Sequence, residues 1–254
     1  MDLGLSGTTV LVTGGGQGLG RAIGLAFAAE GANVAFAHHS SAEGAQAAVA
    51  EAAALGVQAI AVPLNLTDRA SVEAAAERVQ AELGPIGVLV NNAAATQSKP
   101  FFETTEADWA PQVDVTVTGT LRVCHVVAQQ MAANGGGSIV NLMGDSGRVG
   151  ESRLLATATT RASTIGLTKS LAKELARVGI RANAVSIALV RTDNLDAHTG
   201  DADEERMKRI MALYPLGRLG RPDDVTPMIL LLASPRSSWT TGQVISVNGG
   251  YSMV

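Results

Sequence analysis

A chain of 254 residues, 46% hydrophobic and 17% charged, carries enough apolar material to bury a substantial core, which excludes a disordered protein. Its formal net charge of −4, with both signs scattered, leaves no basic stripe to neutralise a phosphate backbone, so nucleic acid is not an expected partner. The single cysteine, Cys124, rules out an internal disulfide and any multiple-cysteine metal site, and His38, His39, His125 and His198 make no cluster, so no metal is expected.

In chain order, short β-branched runs alternate with Ala-rich helical stretches to about residue 190, the mark of repeated βαβ units around a parallel sheet in one domain spanning 1–254. Strands are predicted at Thr8 to Thr13, Asn33 to Ala37, Val57 to Pro63 and Gly87 to Asn91, then at Ser138 to Met143, Arg181 to Val185 and Gln243 to Val247. A helix from about Glu106 to Met131 has an apolar stripe of Val113, Val117, Leu121, Val123 and Val127. Another from about Thr160 to Val178 has Ile165, Leu167, Leu171 and Leu175, and both stripes read as core. Cys124 reads as a small buried apolar residue. From about 191 to 213 the pattern dissolves, including Asp201-Ala202-Asp203-Glu204-Glu205, and reads as a mobile, solvated lid with a short helix. Residues 228–233 form an apolar run far short of the roughly 20 needed to span a bilayer. The opening Met1-Asp2-Leu3-Gly4 lacks the basic patch and apolar run of a secretory signal, so the expectation is a cytoplasmic protein without membrane contact.

After the first strand comes Thr13-Gly14-Gly15-Gly16-Gln17-Gly18-Leu19-Gly20, leading into the helical run Arg21 to Phe27. Gly14 suits a tight turn, Gly18 lets the backbone approach a pyrophosphate, and Gly20 lets helix and strand pack closely while the helix N-terminus faces the anion. This Thr-Gly-x-x-x-Gly-x-Gly form resembles the short-chain dehydrogenase/reductase family, as does Asn91-Asn92-Ala93-Ala94. Gly166 to Ala172, Gly179 to Val185, Gly217 to Pro222, Thr241-Gly242-Gln243 and Asn248-Gly249-Gly250 follow in the family's order and spacing. The resemblance implies a Rossmann-like doubly wound sheet of about seven strands flanked by helices, an NAD or NADP cofactor, a small-molecule substrate, and assembly as a tetramer.

The family's tyrosine passes a proton to or from the substrate oxygen. A lysine four residues later lowers its pKa and holds the nicotinamide ribose, a serine orients the substrate, and an asparagine supports a water relay. Carried onto this sequence, the asparagine falls on Thr116, the serine on Gly144, the tyrosine on Thr157 and the lysine on Arg161. An aliphatic hydroxyl is far less acidic than a phenol with its pKa of about 10, and Arg161 stays protonated and cannot relay a proton. The only tyrosines, Tyr214 and Tyr251, are remote in sequence from this helix. Ser146, two residues beyond the serine position, is expected to point elsewhere. Asp145, Ser146, Arg148, Glu151 and Arg153 supply candidate groups after the fifth strand, with Asp145 as a candidate base.

For the cofactor, the resemblance implies contacts from the glycine turn, from Asn92 and Ala93, and from Arg161. Val190 and Thr192 match residues that hold the carboxamide, although Ile187-Ala188 replaces the usual Pro-Gly. Asn65, followed by Leu66, stands where an adenine-contacting aspartate is common. No acidic residue closes the second strand; His39 and Ser40 sit there instead, a slight lean towards NADP. Three readings follow: an enzyme of altered chemistry such as dehydration, isomerisation, cyclisation or modified redox; a catalytically silent subunit paired with an active homologue, or a nucleotide-responsive binding protein; and a carbonyl reductase of the 3-oxoacyl type.

Overall fold

The computed structural model describes residues 1–192 and 204–254, and 193–203, which hold much of the expected lid segment, lie outside it. Seven strands form one sheet: β1 (Thr9–Thr13), β2 (Asn33–His38), β3 (Ala59–Pro63), β4 (Ile86–Asn91), β5 (Gly137–Gly144), β6 (Ile180–Ile187) and β7 (Val244–Val247). All pairings are parallel, in the order β3-β2-β1-β4-β5-β6-β7. This is the doubly wound α/β sheet expected from the sequence, with strand ends displaced by one or two residues.

Both faces of the sheet are covered, so the strands are apolar on each side. Val10 and Val12 of β1 and Val34 and Phe36 of β2 point into one core with Ile23 and Phe27 of α1 (Gly18–Ala29). Alanines of α2 (Ala42–Ala54) complete that layer. Leu11 and Ala35, one residue out of step, point into the opposite core with Val79 of α3 (Arg69–Leu83). Full burial of a side chain such as Phe27 contributes about 1.5–3 kcal/mol, and α3 is started by Asp68, whose carboxylate accepts from the Ala70 N–H at 3.0 Å.

The predicted helix over 106–131 is interrupted. It runs as α4 (Glu106–Val113), a π-helical segment over Asp114–Gly119, and α5 (Thr120–Ala133). Hydrogen bonding to i+5 slips the phase between the two halves. Val123 and Val127 reach the core while Val113 and Leu121 are exposed; Leu121 and Val123, two residues apart in α5, lie on opposite faces, so the expected single stripe does not hold.

After the short α6 (Ser146–Val149) comes α7 (Leu155–Leu175), which begins earlier than expected and ends in a 3-10 turn. Its fully inward face is Thr160, Thr164, Thr168 and Ala172, at i+4 spacing, whereas Leu167, Leu171 and Leu175 are half-buried. Small side chains let the helix sit close to the sheet, and two of the hydroxyls have partners: Thr160 donates to the Thr157 carbonyl at 2.9 Å, and Thr168 Oγ1 accepts from Asn141 Nδ2 at 2.9 Å. The expected short helix after residue 191 is α8 (Glu204–Met211), and α9 (Pro222–Ala233) closes the first core. Among the described residues, no helix is long and apolar enough to cross a membrane.

Candidate functional site

The order of the strands reverses between β1 and β4, and a cleft of about 920 Å³ opens at their carboxyl ends. Thr13 locks the two strands together there. Its hydroxyl oxygen accepts from the N–H groups of Asn92 (3.0 Å) and Ala93 (3.1 Å), and Asn92 Nδ2 donates back to the Thr13 carbonyl at 3.0 Å.

The turn that leaves β1 has Gly14 at φ +66°, a left-handed conformation that a side chain would strain. Gly20 serves a different need: a Cβ there would come within 2.1 Å of the Gly14 carbonyl and 2.5 Å of Asn92 Nδ2, so only glycine lets α1 start this close to the turn. At the start of α1, Gln17 provides no side-chain cap and the first turn has no acidic residue, which leaves backbone N–H groups directed at the cleft. Gly14, Gln17, Gly18, Leu19 and Gly20 line the cleft, a geometry suited to a diphosphate. Gly16 does not. It is buried where a Cβ would collide with Ser41, so its glycine is demanded by packing against the start of α2 rather than by a ligand.

At one end the cleft is walled by His39, Ser40, Asn65 and Leu66. Asn65 Oδ1 accepts from both the N–H (3.0 Å) and the hydroxyl (2.8 Å) of Thr67, which fixes that turn. At the other end stand Gly144, Ser146, Thr157, Arg161, Val190 and Thr192, so the residues picked from sequence do converge. A nicotinamide dinucleotide fits this layout: a glycine cradle with free donors in the middle, an open adenine end, and a half-apolar far end.

The four positions that correspond to the family's catalytic groups differ in their surroundings. Thr116 lies in the π-helical segment, buried, its hydroxyl accepting from the Ala95 N–H at 3.1 Å. Thr157 is 3% exposed; it donates to Gln112 Oε1 at 2.5 Å and accepts from the Gln97 N–H at 3.3 Å. Gly144 ends β5 and borders the cleft. Arg161 is half-buried and, among the described residues, makes no hydrogen bond or ion pair; desolvation pulls its guanidinium below the ordinary pKa.

Of the candidates after β5, Asp145 is buried and both of its oxygens are engaged, one by the Ser186 hydroxyl and the other by Asn248 Nδ2. It ties β5 to β6 and to the end of β7. Arg148 points away to β7, donating to the Val244 carbonyl at 2.7 Å and to Ser246 Oγ at 2.8 Å. Arg153 carries a left-handed φ of 68° and offers its carbonyl to the Lys99 N–H at 2.8 Å, so its backbone holds the loop before α4.

One expectation is corrected, and two residues are added to the site. Ser146 does not point away from the cleft but lines it, because α6 packs tightly on α7. The tyrosines, remote in sequence, come to the same cleft. Tyr214 accepts from the Leu189 N–H at 3.0 Å, and its ring lies 5.3 Å from that of Tyr251. Burial first, then the charge of nearby Glu151, pushes the Tyr251 phenol up to about 12. The signal for Tyr251 was present: it follows directly on β7 and the Asn248-Gly249-Gly250 run, and the carboxyl ends of parallel strands are where such sheets place their ligands.

Comparison with known proteins agrees with this geometry. The profile of a family described as enoyl-(acyl carrier protein) reductase matches residues 14–252. The chain is 37% identical over 245 residues to 3-oxoacyl-[acyl-carrier-protein] reductase FabG of Staphylococcus aureus (strain Mu50 / ATCC 700699), covering 96% of this chain and 98% of the relative. It is 36% identical over 254 residues to sorbitol dehydrogenase of Cereibacter sphaeroides, covering 97% and 98%. Among solved structures, 7α-hydroxysteroid dehydrogenase complexed with NADH and 7-oxo glycochenodeoxycholic acid superposes with a TM-score of 0.91 at 30% identity, covering 98% of this chain and 96% of that one. Fold, turn and whole-length likeness agree, and the chain belongs to the short-chain dehydrogenase/reductase family.

Proposed function

We propose that this chain binds NAD or NADP in the cleft and holds a small molecule beside the nicotinamide end, where the family's tyrosine-driven ketone/alcohol step is replaced by other chemistry. When bound, the dinucleotide supplies or accepts hydride. The glycine turn and the free N–H groups of α1 hold its diphosphate, and His39 and Ser40 meet the adenosine ribose or its phosphate. No metal takes part in this reading.

The observation that carries the proposal is the state of Thr157. Its hydroxyl is committed to Gln112 and Gln97, and an alcohol lacks the acidity of a phenol. If the donor is worse by only ~4 pKa units, up to ~5 kcal/mol of driving force for proton transfer is lost. Asp145, with both oxygens engaged, is a positioning residue for the loop and not the base.

A titration with NADH and NADPH, followed by fluorescence, tests the cofactor half; no saturation at high concentration would refute it. Reduction of a 3-oxoacyl thioester with NADPH tests the other half, and turnover at ordinary enzymatic rates would establish the competing reading, a carbonyl reductase with a relocated proton donor. That second reading is favoured by the likeness to FabG over 96% of the chain. A homotetramer is the proposed assembly. Co-purification of an active homologous subunit would instead support a silent partner in a hetero-oligomer.

A further inference from the structure

Ser146 and Arg161 meet around the place left empty by Gly144. A Cβ built on Gly144 would lie 3.4 Å from Ser146 Oγ and 3.9 Å from both Cγ and Nε of Arg161, so hydroxyl and guanidinium flank one small volume at the cleft wall. Gly144 does not have a left-handed φ and a Cβ there would make only ordinary contacts, so neither backbone nor packing demands the glycine, and the absent side chain leaves that volume open.

The arrangement is built from below by a second glycine. A Cβ on Gly147 would come 2.6 Å from the Ala162 N and 2.7 Å from the Arg161 carbonyl carbon, so its absence lets α6 press against α7 at Arg161 and carries Ser146 inward. Asp145 anchors the loop from behind.

Neither group is used by the protein. Among the described residues, Ser146 Oγ and the Arg161 guanidinium have no hydrogen-bond partner, and Arg161 has no carboxylate within ion-pair distance. The nearest buried acid, Asp145, is taken by Ser186 and Asn248. A desolvated cation without a counter-ion is costly, and an anionic oxygen that enters its space offsets that cost with charge-assisted hydrogen bonds.

We infer that Ser146 and Arg161 form an anion-binding pair, opened by Gly144, that selects small-molecule substrates bearing a carboxylate next to an apolar body. The apolar body faces Leu142, Leu154 and Leu189. This assignment rests on the reading of the cleft as a cofactor and substrate site, and it names the substrate class for that site.

The test is isothermal titration of the full chain with hexanoate and with hexanamide, its uncharged counterpart, with and without saturating NADH. Hexanoate is expected to bind roughly ten- to a hundredfold more tightly than hexanamide, the range for hydrogen bonds to a charged partner. Arg161→Gln should abolish the difference, and Gly144→Val, which fills the space without touching the charge, should weaken hexanoate at least about tenfold. The second variant keeps the test decisive should Arg161→Gln fail to fold. Equal binding of the two ligands, a preference that survives both variants, or displacement of hexanoate by NADH would overturn the inference. An Arg161-dependent preference in a chain that binds no NADH would sustain it while refuting the cofactor reading, so the two fail separately.

Discussion

Replacing Thr157 by valine removes one hydroxyl at almost constant shape. The two residues it joins are deeply buried, Thr157 at 3% and Gln112 at 4% exposure, so neither water nor another group can take over the bond of 2.5 Å. Gln112 Oε1 and the Gln97 N–H would both lose a partner, and an unsatisfied buried polar group costs about 1–3 kcal/mol. In a domain of this size each kcal/mol lowers the melting temperature by roughly 2–4 °C. Thr159→Val is the control, since its exposed hydroxyl bonds only to the Leu155 carbonyl one turn back, and surface changes stay within about 0.5 kcal/mol. Differential scanning fluorimetry at one scan rate should separate the two variants, while NADH affinity by fluorescence stays equal. If Thr157→Val melts with the wild type but loses turnover on a discovered substrate, the hydroxyl acts on substrate and the argument that it is structurally committed is wrong.

Gly20→Ala would set a Cβ 2.1 Å from the Gly14 carbonyl, so the turn must open; overpacking of this kind costs about 1–3 kcal/mol, and the titration should show dinucleotide affinity falling by at least tenfold. Cys124 is 1% exposed and burial pushes its thiol up to about 12, so iodoacetamide at about pH 8 should leave it unmodified in the native chain and alkylate it after denaturation; rapid native labelling, read by mass spectrometry, would contradict this. Asp224 is held down to about 2 by its ion pair with Arg218 and by the Arg221 N–H at the start of α9. A depressed folded-state pKa adds stability that is fully present above the unfolded value near 3.8 and is lost as pH falls towards 2. The melting-temperature gap between wild type and Asp224→Asn should therefore shrink between about pH 5 and pH 2, and a constant gap would rule out this linkage.

Much of the fold is legible because its signals are local. Apolar runs that feed both faces of a sheet mark the strands, and a glycine turn between strand and helix marks the cradle. The helix stripes failed for reasons that no period reveals. The π-helical segment over 114–119 shifts the phase between α4 and α5, and in α7 threonines rather than leucines make the closest contact with the sheet. At the site, the sequence positions put Gly144, Thr157 and Arg161 on the cleft wall and Thr116 buried behind Ala95, but spacing could not show that Ser146 turns inward, which depends on Gly147 touching the backbone of α7. Nor could spacing reveal that Tyr214 and Tyr251 share a cleft with residues 53 or more positions earlier, since only the parallel order of β5, β6 and β7 brings them together.

The bonds that fasten Asp145 bear on how the molecule is made. The glycine turn depends on partners early in the chain: Gly15 N–H bonds to the Ala37 carbonyl, and Thr13 to Asn92 and Ala93. Asp145, by contrast, reaches across 41 residues to Ser186 and 103 to Asn248. During synthesis the bonds of the glycine turn find their partners early, but α1 packs against α9, and the wall that holds Gly144 and Ser146 is braced by residues beyond β7, so neither half of the cleft is complete until the last helix and strand have docked.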